Sequence, residues 1–274
     1  MIRNQPRETT AKYYAELVLN EQVKADADVK RLIKQHLSEI INASKGYTGD
    51  FKRFRFTDNK TINDKVDKAI TALNESIMLT FQTRAINVKH IAEKREDDKS
   101  DEAALILWLL GKIGDKTLKE RATLYTSQLK TEIEAFVAAG MDKGLSSDAI
   151  LNNWLTYMKA PYSSPLIREA MAIGGFSATV LASRGLHLGR GRYISSFENI
   201  KRLEQATIQM AYNKTLFDIW GGRNVIGWYS VRGSSYPCGV CDSQVGVFHS
   251  KDEFFYGFHT RCMCIPIPVY TGEI

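Results

Sequence analysis

All four cysteines of this 274-residue chain fall between positions 238 and 264, together with two of its five histidines. They run Cys238-Gly-Val-Cys241, then His249, then His259-Thr-Arg-Cys262-Met-Cys264. Chance does not gather every thiol of a chain into one short stretch, so a shared physical task is implied. Zinc favours thiolate and imidazole in a closed tetrahedron, and two cysteines separated by two residues can face one ion from a tight turn. Pro237 and Gly239 suit that turn, because proline fixes φ and glycine accepts positive φ. Cys238 and Cys241 thus supply half of a metal site. His259, Cys262 and Cys264 offer three donors for the two remaining positions, so one is spare, and the spacing leaves open which of Cys262 and Cys264 ligates. The expected cofactor is one structural zinc ion.

Other uses of these residues fit less well. Disulfides belong to oxidising compartments, and the N-terminus Met1-Ile-Arg-Asn-Gln-Pro-Arg has neither the apolar core nor the cleavage site of a secretory leader. Unrelated buried thiols would be scattered through apolar segments. Zinc deaminases share a Pro-Cys-x-x-Cys element but also need a ligating histidine followed closely by a glutamate acid/base. His90 is followed by Ile-Ala and His187 by Leu-Gly, so neither supplies it. A zinc-stapled nuclease would use His249 as general base, with Asp252 and Glu253 holding a second metal. If His259 ligates zinc, His249 is the last imidazole of the segment.

The rest of the chain carries helical periodicity. Helices are expected over 10–43, from Thr61 to Ile91 or beyond, over 101–113 ending at Gly114, and after the Thr117-x-x-Glu120 capping box until Gly140 and Gly144 stop it. Further helices open at Ser146-Ser-Asp148, run over 166–173, and extend from Ser195 or Ser196 to Trp220-Gly-Gly222. The charged run 93–100 reads as a solvated linker, and 184–192 as a basic glycine-rich loop. Phe51-Lys-Arg-Phe-Arg-Phe56 alternates aromatic and basic residues, as a short strand or a base-stacking face would. Beyond Gly222 the texture becomes β-like at 225–231, 245–248 and 264–270. The expected fold is mainly α: a multi-helix domain over 1–221 with a candidate sub-boundary near 95–100, and a small zinc-knuckle β module over 222–274.

A net charge of +6 and a pI near 9.0 favour acidic partners. From Gly222 onward, Arg223, Arg232, Lys251 and Arg261 are matched by Asp242, Asp252, Glu253 and Glu273, so the basic excess lies in the helical part. The most apolar runs, 103–110 and 170–182, are shorter than the ~20 residues of a spanning helix. The expectation is a soluble, cytosol-made protein with no membrane partner.

Pro237-Cys-Gly-Val-Cys241, His259-Thr-Arg-Cys262-Met-Cys264 and the closing Ile265-Pro-Ile-Pro-Val269 resemble the minor head proteins of tailed bacteriophages, the Mu F-like head morphogenesis family. That family ends in His-Pro-x-Cys-Arg-Cys; here Thr260 replaces the proline and Met263 the arginine. A second likeness lies upstream, where Arg202-Leu203-Glu204 and Ala211-Tyr-Asn213 stand at the distance of the family's Arg-Thr-Glu helix and its asparagine. The resemblance covers residues 197–269. It implies a low-copy, non-enzymatic structural protein of the virion. Such a protein is made in the host cytoplasm and sits at the portal vertex or capsid interior, with portal, capsid or scaffolding proteins as partners. It aids head assembly and DNA packaging or delivery, and contact with phage DNA is sequence-independent. A DNA-acting nuclease and a non-specific DNA-binding protein are the alternatives.

Overall fold

The computed structural model describes residues 5–172, 194–259 and 261–273. The chain is mainly helical with a small C-terminal sheet. Helices α1 (Gln5–Ala43), α2 (Lys60–Glu96), α3 (Glu102–Leu110), α4 (Leu118–Asp142), α5 (Ser147–Tyr157), α6 (Pro165–Ala172) and α7 (Ser196–Gly221) follow in order. Strands β1 (Lys112–Ile113) and β2 (Lys116–Thr117) form a hairpin between α3 and α4. Strands β3 (Val225–Val231), β4 (Phe248–Ser250) and β5 (Ile265–Tyr270) form an antiparallel sheet in the order β4-β3-β5. Among the described residues no helix is long and apolar enough to cross a membrane. The basic loop 184–192, with His187, lies outside the described residues.

The helices form where apolar residues recur at steps of three and four. In α2 the buried positions include Ile62, Val66, Ala69, Leu73, Ile77, Phe81, Ala85, Val88 and Ala92, which form one continuous stripe. Ser146 caps α5, its Oγ accepting from the Ala149 amide at 3.2 Å. Gly140 does not stop α4. A Cβ there would lie 2.4 Å from Ile150 Cγ1, so the glycine permits close packing of α5. The stop is Gly144 at φ +68°, with the Leu145 amide bonded back to the Gly140 carbonyl at 2.9 Å, the pattern of a Schellman cap.

Two compact units divide the chain. The first holds residues up to Ala27, Leu79–Leu118 and the chain from Arg202 onward; the second holds Asp28–Met78 and Lys119–Lys201. Residues 222–274 are therefore grouped with helical segments, and positions 95–100 lie inside that same unit. The burial pattern explains this grouping. Every residue of β3 except Ile226, and Ile265 to Val269 of β5, is buried, which a three-stranded sheet achieves only beneath other elements.

Residues 51–56 form 3-10 turns rather than a strand. Phe54 and Phe56 are fully buried, with ring centroids 5.5 Å apart, and the Phe56 amide donates to Glu134 at 2.7 Å. These two aromatics are thus spent on the second unit's core, while the basic residues Lys52, Arg53 and Arg55 are exposed.

The charged run at 93–100 is not a solvated linker. Helix α2 continues to Glu96, and the side chains of Glu93, Arg95 and Glu96 are 3%, 4% and 8% exposed. Arg95 donates to Tyr212 Oη of α7 at 3.2 Å and to the Pro266 carbonyl of β5 at 2.8 Å. Arg223 donates to the Glu96 carbonyl at 2.7 Å and to the Asp98 carboxylate at 3.0 Å. Burial pushes the Glu93 carboxyl up, but hydrogen bonds from Lys89, the Ser100 amide and His90 outweigh it and hold it at about 2. In the first unit this run is an electrostatic seam that ties α2 to α7 and to the sheet.

β5 tolerates its prolines because it is an edge strand. Ile-Pro-Ile-Pro places both missing donors on alternate residues, hence on the same side of the strand, away from β3. The Pro266 carbonyl on that outer side is the one Arg95 takes up.

Candidate metal centre

The knuckle follows directly from β3. Its first cysteine leads into a single helical turn, Gly239–Asp242, with the Asp242 amide bonded to the Cys238 carbonyl at 2.8 Å. Arg232 braces the turn from outside, its guanidinium bonded to the Tyr236 carbonyl and to the Asp242 carboxylate. Asp242 in turn accepts from the Cys238 amide at 3.3 Å. This ion pair fixes the loop that carries two of the sulfurs.

The opposite half arrives on the loop between β4 and β5. Trp228 Nε1 donates to the Glu253 carbonyl at 2.8 Å, and Asn213 Nδ2 of α7 donates to the Phe255 carbonyl at 2.9 Å. Phe255 lies between Trp228 and Phe258, with centroids 5.0 and 4.9 Å away. The loop is thereby pinned just before His259. Arg261 adopts φ +66°, and the Cys262 amide closes the turn onto the His259 carbonyl at 3.0 Å.

Five donor groups converge. His259 Nε2 lies 3.2 Å from Cys238 Sγ and 3.0 Å from Cys241 Sγ, and Cys241 Sγ lies 3.8 Å from Cys262 Sγ. Cys238, Cys241 and His259 form one group with mutually close ligand atoms; Cys241, Cys262 and Cys264 form another. Cys241 belongs to both. For zinc–sulfur bonds of about 2.3 Å a tetrahedron has sulfur–sulfur edges of about 3.8 Å, which the Cys241 to Cys262 separation matches. The donor set therefore fits a metal ion.

The thiols are electrostatically unequal. Cys238 is lowered first by the Cys241 amide, with help from its other neighbours including the Val240 amide. Cys262 is brought down to about 5, first by the Cys264 thiol and then, against burial, by the amides of Cys264 and Phe258. Cys264, the donor to Cys262, is pushed up, and burial pushes Cys241 up to about 12. Backbone amides thus point at the first sulfur of each pair, a cradle suited to thiolate.

Two glycines set the approach of the halves. A Cβ on Gly233 would lie 2.0 Å from the Met263 carbonyl, between Cys262 and Cys264, and one on Gly257 would lie 3.1 Å from Cys262 Cβ, with φ already at +96°. Gly233→Ala must displace the backbone of the second cysteine pair. The expected result is a metal affinity at least ~10-fold weaker, in the range produced by losing an outer-sphere support. Competition with a chromogenic zinc chelator checks it.

His249 is not part of the cluster. Its ring stacks on Trp228 at 4.2 Å and 15°, its Nδ1 lies 3.2 Å from a Glu253 oxygen, and its Nε2 is enclosed without a partner. Among the described residues no group of three potential ligands includes His249, Asp252 or Glu253. His90 is paired with Glu93 at 3.0 Å on α2. Glu204 of α7 is fully buried. Arg232, Asp242, Asn213, Gly233 and Gly257, which position the donors, carry no metal-ligand signature in the sequence.

Comparison with protein-family models, with curated proteins and with solved structures gave no match.

Proposed function

We propose that this chain is a structural minor capsid protein of a tailed phage, of the head morphogenesis kind that residues 197–269 resemble. It acts at the portal or capsid interior in head assembly and in DNA packaging or delivery. One observation supports this reading above the others. Asn213, the second point of the resemblance, holds by hydrogen bond the very loop that delivers His259 to the cysteines of the first. The two separate sequence likenesses are one physical unit.

A zinc ion is held by Cys238, Cys241, His259 and Cys262, with Cys264 as a hydrogen-bonding neighbour. The ion supplies a cross-link between the 238–241 turn and the 259–262 turn. Four protein ligands leave no open position for substrate, as expected of a structural site. The enclosed His249 Nε2 favours this staple over the nuclease alternative, since a general base must reach the proton it removes. The basic helical part suits sequence-independent contact with packaged phosphate.

Co-sedimentation of the purified chain with portal rings and, separately, with duplex DNA tests the reading. Portal binding tighter than DNA binding at ~0.15 M salt is expected, where unspecific DNA affinity is about 10⁻⁴–10⁻⁶ M. Tighter DNA binding would favour a DNA-binding protein. Magnesium-dependent cleavage lost in His249→Ala would establish a nuclease.

A further inference from the structure

Five donors meet where one tetrahedral zinc needs four, and Cys264 is the one left over. Burial divides the five unequally. Cys241, Cys262 and Cys264 are 2%, 5% and 1% exposed, whereas Cys238 is half-buried and His259 is exposed. One end of the cluster is therefore a wet thiol and imidazole, and the other a dry triad of sulfurs. The three sulfurs of the triad all lie within 4.8 Å of one another, with Cys241 and Cys262 at 3.8 Å. Sulfurs spaced evenly around one ion at about 2.3 Å stand about 4.0 Å apart, so the triad can close on an ion without Cys238 or His259. The backbone holds this arrangement. The Met263 carbonyl, between the last two cysteines, lies against Gly233, where a Cβ would be 2.0 Å away, and Cys264 leads straight into β5.

We propose that the Cys241-Cys262-Cys264 triad is a second coordination mode of this centre, which takes a soft monovalent ion, Cu(I), in place of zinc. The inference rests on the metal reading of the cluster. Ligand softness and coordination number select the ion. An all-sulfur site of three ligands suits Cu(I), while zinc closes a tetrahedron and accepts imidazole. Charge allows the exchange: Zn²⁺ on three thiolates with imidazole, and Cu⁺ on two thiolates with a thiol, carry the same net charge. The surroundings need not change either, since Arg232, within electrostatic reach of Cys241 and Cys264, stays paired with Asp242. Cys241 and Cys262 serve both ions, so zinc and copper exclude each other.

The test titrates the full, zinc-loaded chain, without oxygen, with Cu(I) held by a chromogenic Cu(I) chelator. One copper should enter per chain as one zinc leaves, and X-ray absorption should show a copper shell of sulfur with no imidazole nitrogen. Two variants should separate the ions. Cys264→Ser should hold zinc as wild type does and bind Cu(I) at least ~10-fold more weakly. His259→Ala should bind zinc at least ~100-fold more weakly, beyond the cost of an outer-sphere loss, and bind Cu(I) unchanged. Should Cys264→Ser lose its zinc through misfolding, the wild-type copper shell still decides. Imidazole in that shell, or equal Cu(I) affinity in wild type and a zinc-loaded Cys264→Ser, overturns the triad and leaves the zinc staple intact. Copper taken up without loss of zinc lies elsewhere and overturns the triad as well. A chain that binds Cu(I) on three sulfurs but holds no zinc overturns the staple and keeps the triad; one that holds neither ion overturns both.

Discussion

Cys241→Ser is expected to strip the metal from the protein and to lower the thermal midpoint by about 10 °C, more than any other single change at the site. Cys241 is the one residue common to both donor groups, and it is 2% exposed, so its loss removes a donor from each group at once and leaves a buried gap that bulk water does not reach. In isolated zinc modules metal binding supplies about 10–16 kcal/mol, which is also their folding free energy. Here the loss is smaller. Ile265, Ile267 and Val269 remain buried in β5 whether or not the ion is held, so the expected cost is on the order of 3 kcal/mol, at roughly 3 °C each for a unit of this size. Cys262→Ser should also release the ion, whereas Cys264→Ser should keep close to one equivalent. Elemental analysis of protein purified without chelator, read beside circular dichroism melts, separates these outcomes. A Cys241→Ser protein that retains its metal and melts with wild type would end the single-ion staple.

The cluster of residues that could hold a metal was legible in the sequence because ligand chemistry is local: C-x2-C and H-x2-C-x-C each close within one turn, and no long-range packing is needed to recognise them. Their supports were not. Arg232 and Asp242 are ten residues apart, and in composition they simply cancel as opposite charges; only the fold turns them into the brace of the knuckle. Asn213 lies on a helix far from Phe255 in sequence, so its hydrogen bond exists only once α7 and the loop are packed. The long helices followed from their three- and four-residue stripes, as in Ile62 to Ala92. Phe51 to Phe56 misled for the opposite reason. Its alternation imitates a strand over six residues, but the Glu134 carboxylate takes the Phe56 amide and the two buried phenyl rings turn the segment inward. Local pattern lost there to tertiary contact.

The same contest decides the charged run at 93–100, and Arg95 measures it. Arg95→Ala should destabilise the first unit by about 3–5 kcal/mol, the cost of removing one partner from a buried charged cluster. Its side chain is 4% exposed and bonds to three groups on different parts of the chain: Tyr212 Oη, the Pro266 carbonyl and, at 3.2 Å, Glu96. Glu96 keeps Arg223 at 3.1 Å, so its carboxylate is not stranded. The Pro266 carbonyl loses its donor on the outer edge of β5, where no further strand is paired. Arg95→Met keeps much of the aliphatic stem's packing and should lie between wild type and alanine. Arg53 supplies the contrast. It pairs with Asp50 at 3.8 Å with its side chain 89% exposed, and Arg53→Ala should change stability by less than about 0.5 kcal/mol. Because an enclosed cluster is poorly screened, the Arg95→Ala deficit should persist in denaturant melts run at high salt. Equal stabilities for the Arg53 and Arg95 variants would mean that the charged run is after all a solvated connector, as its composition alone suggests.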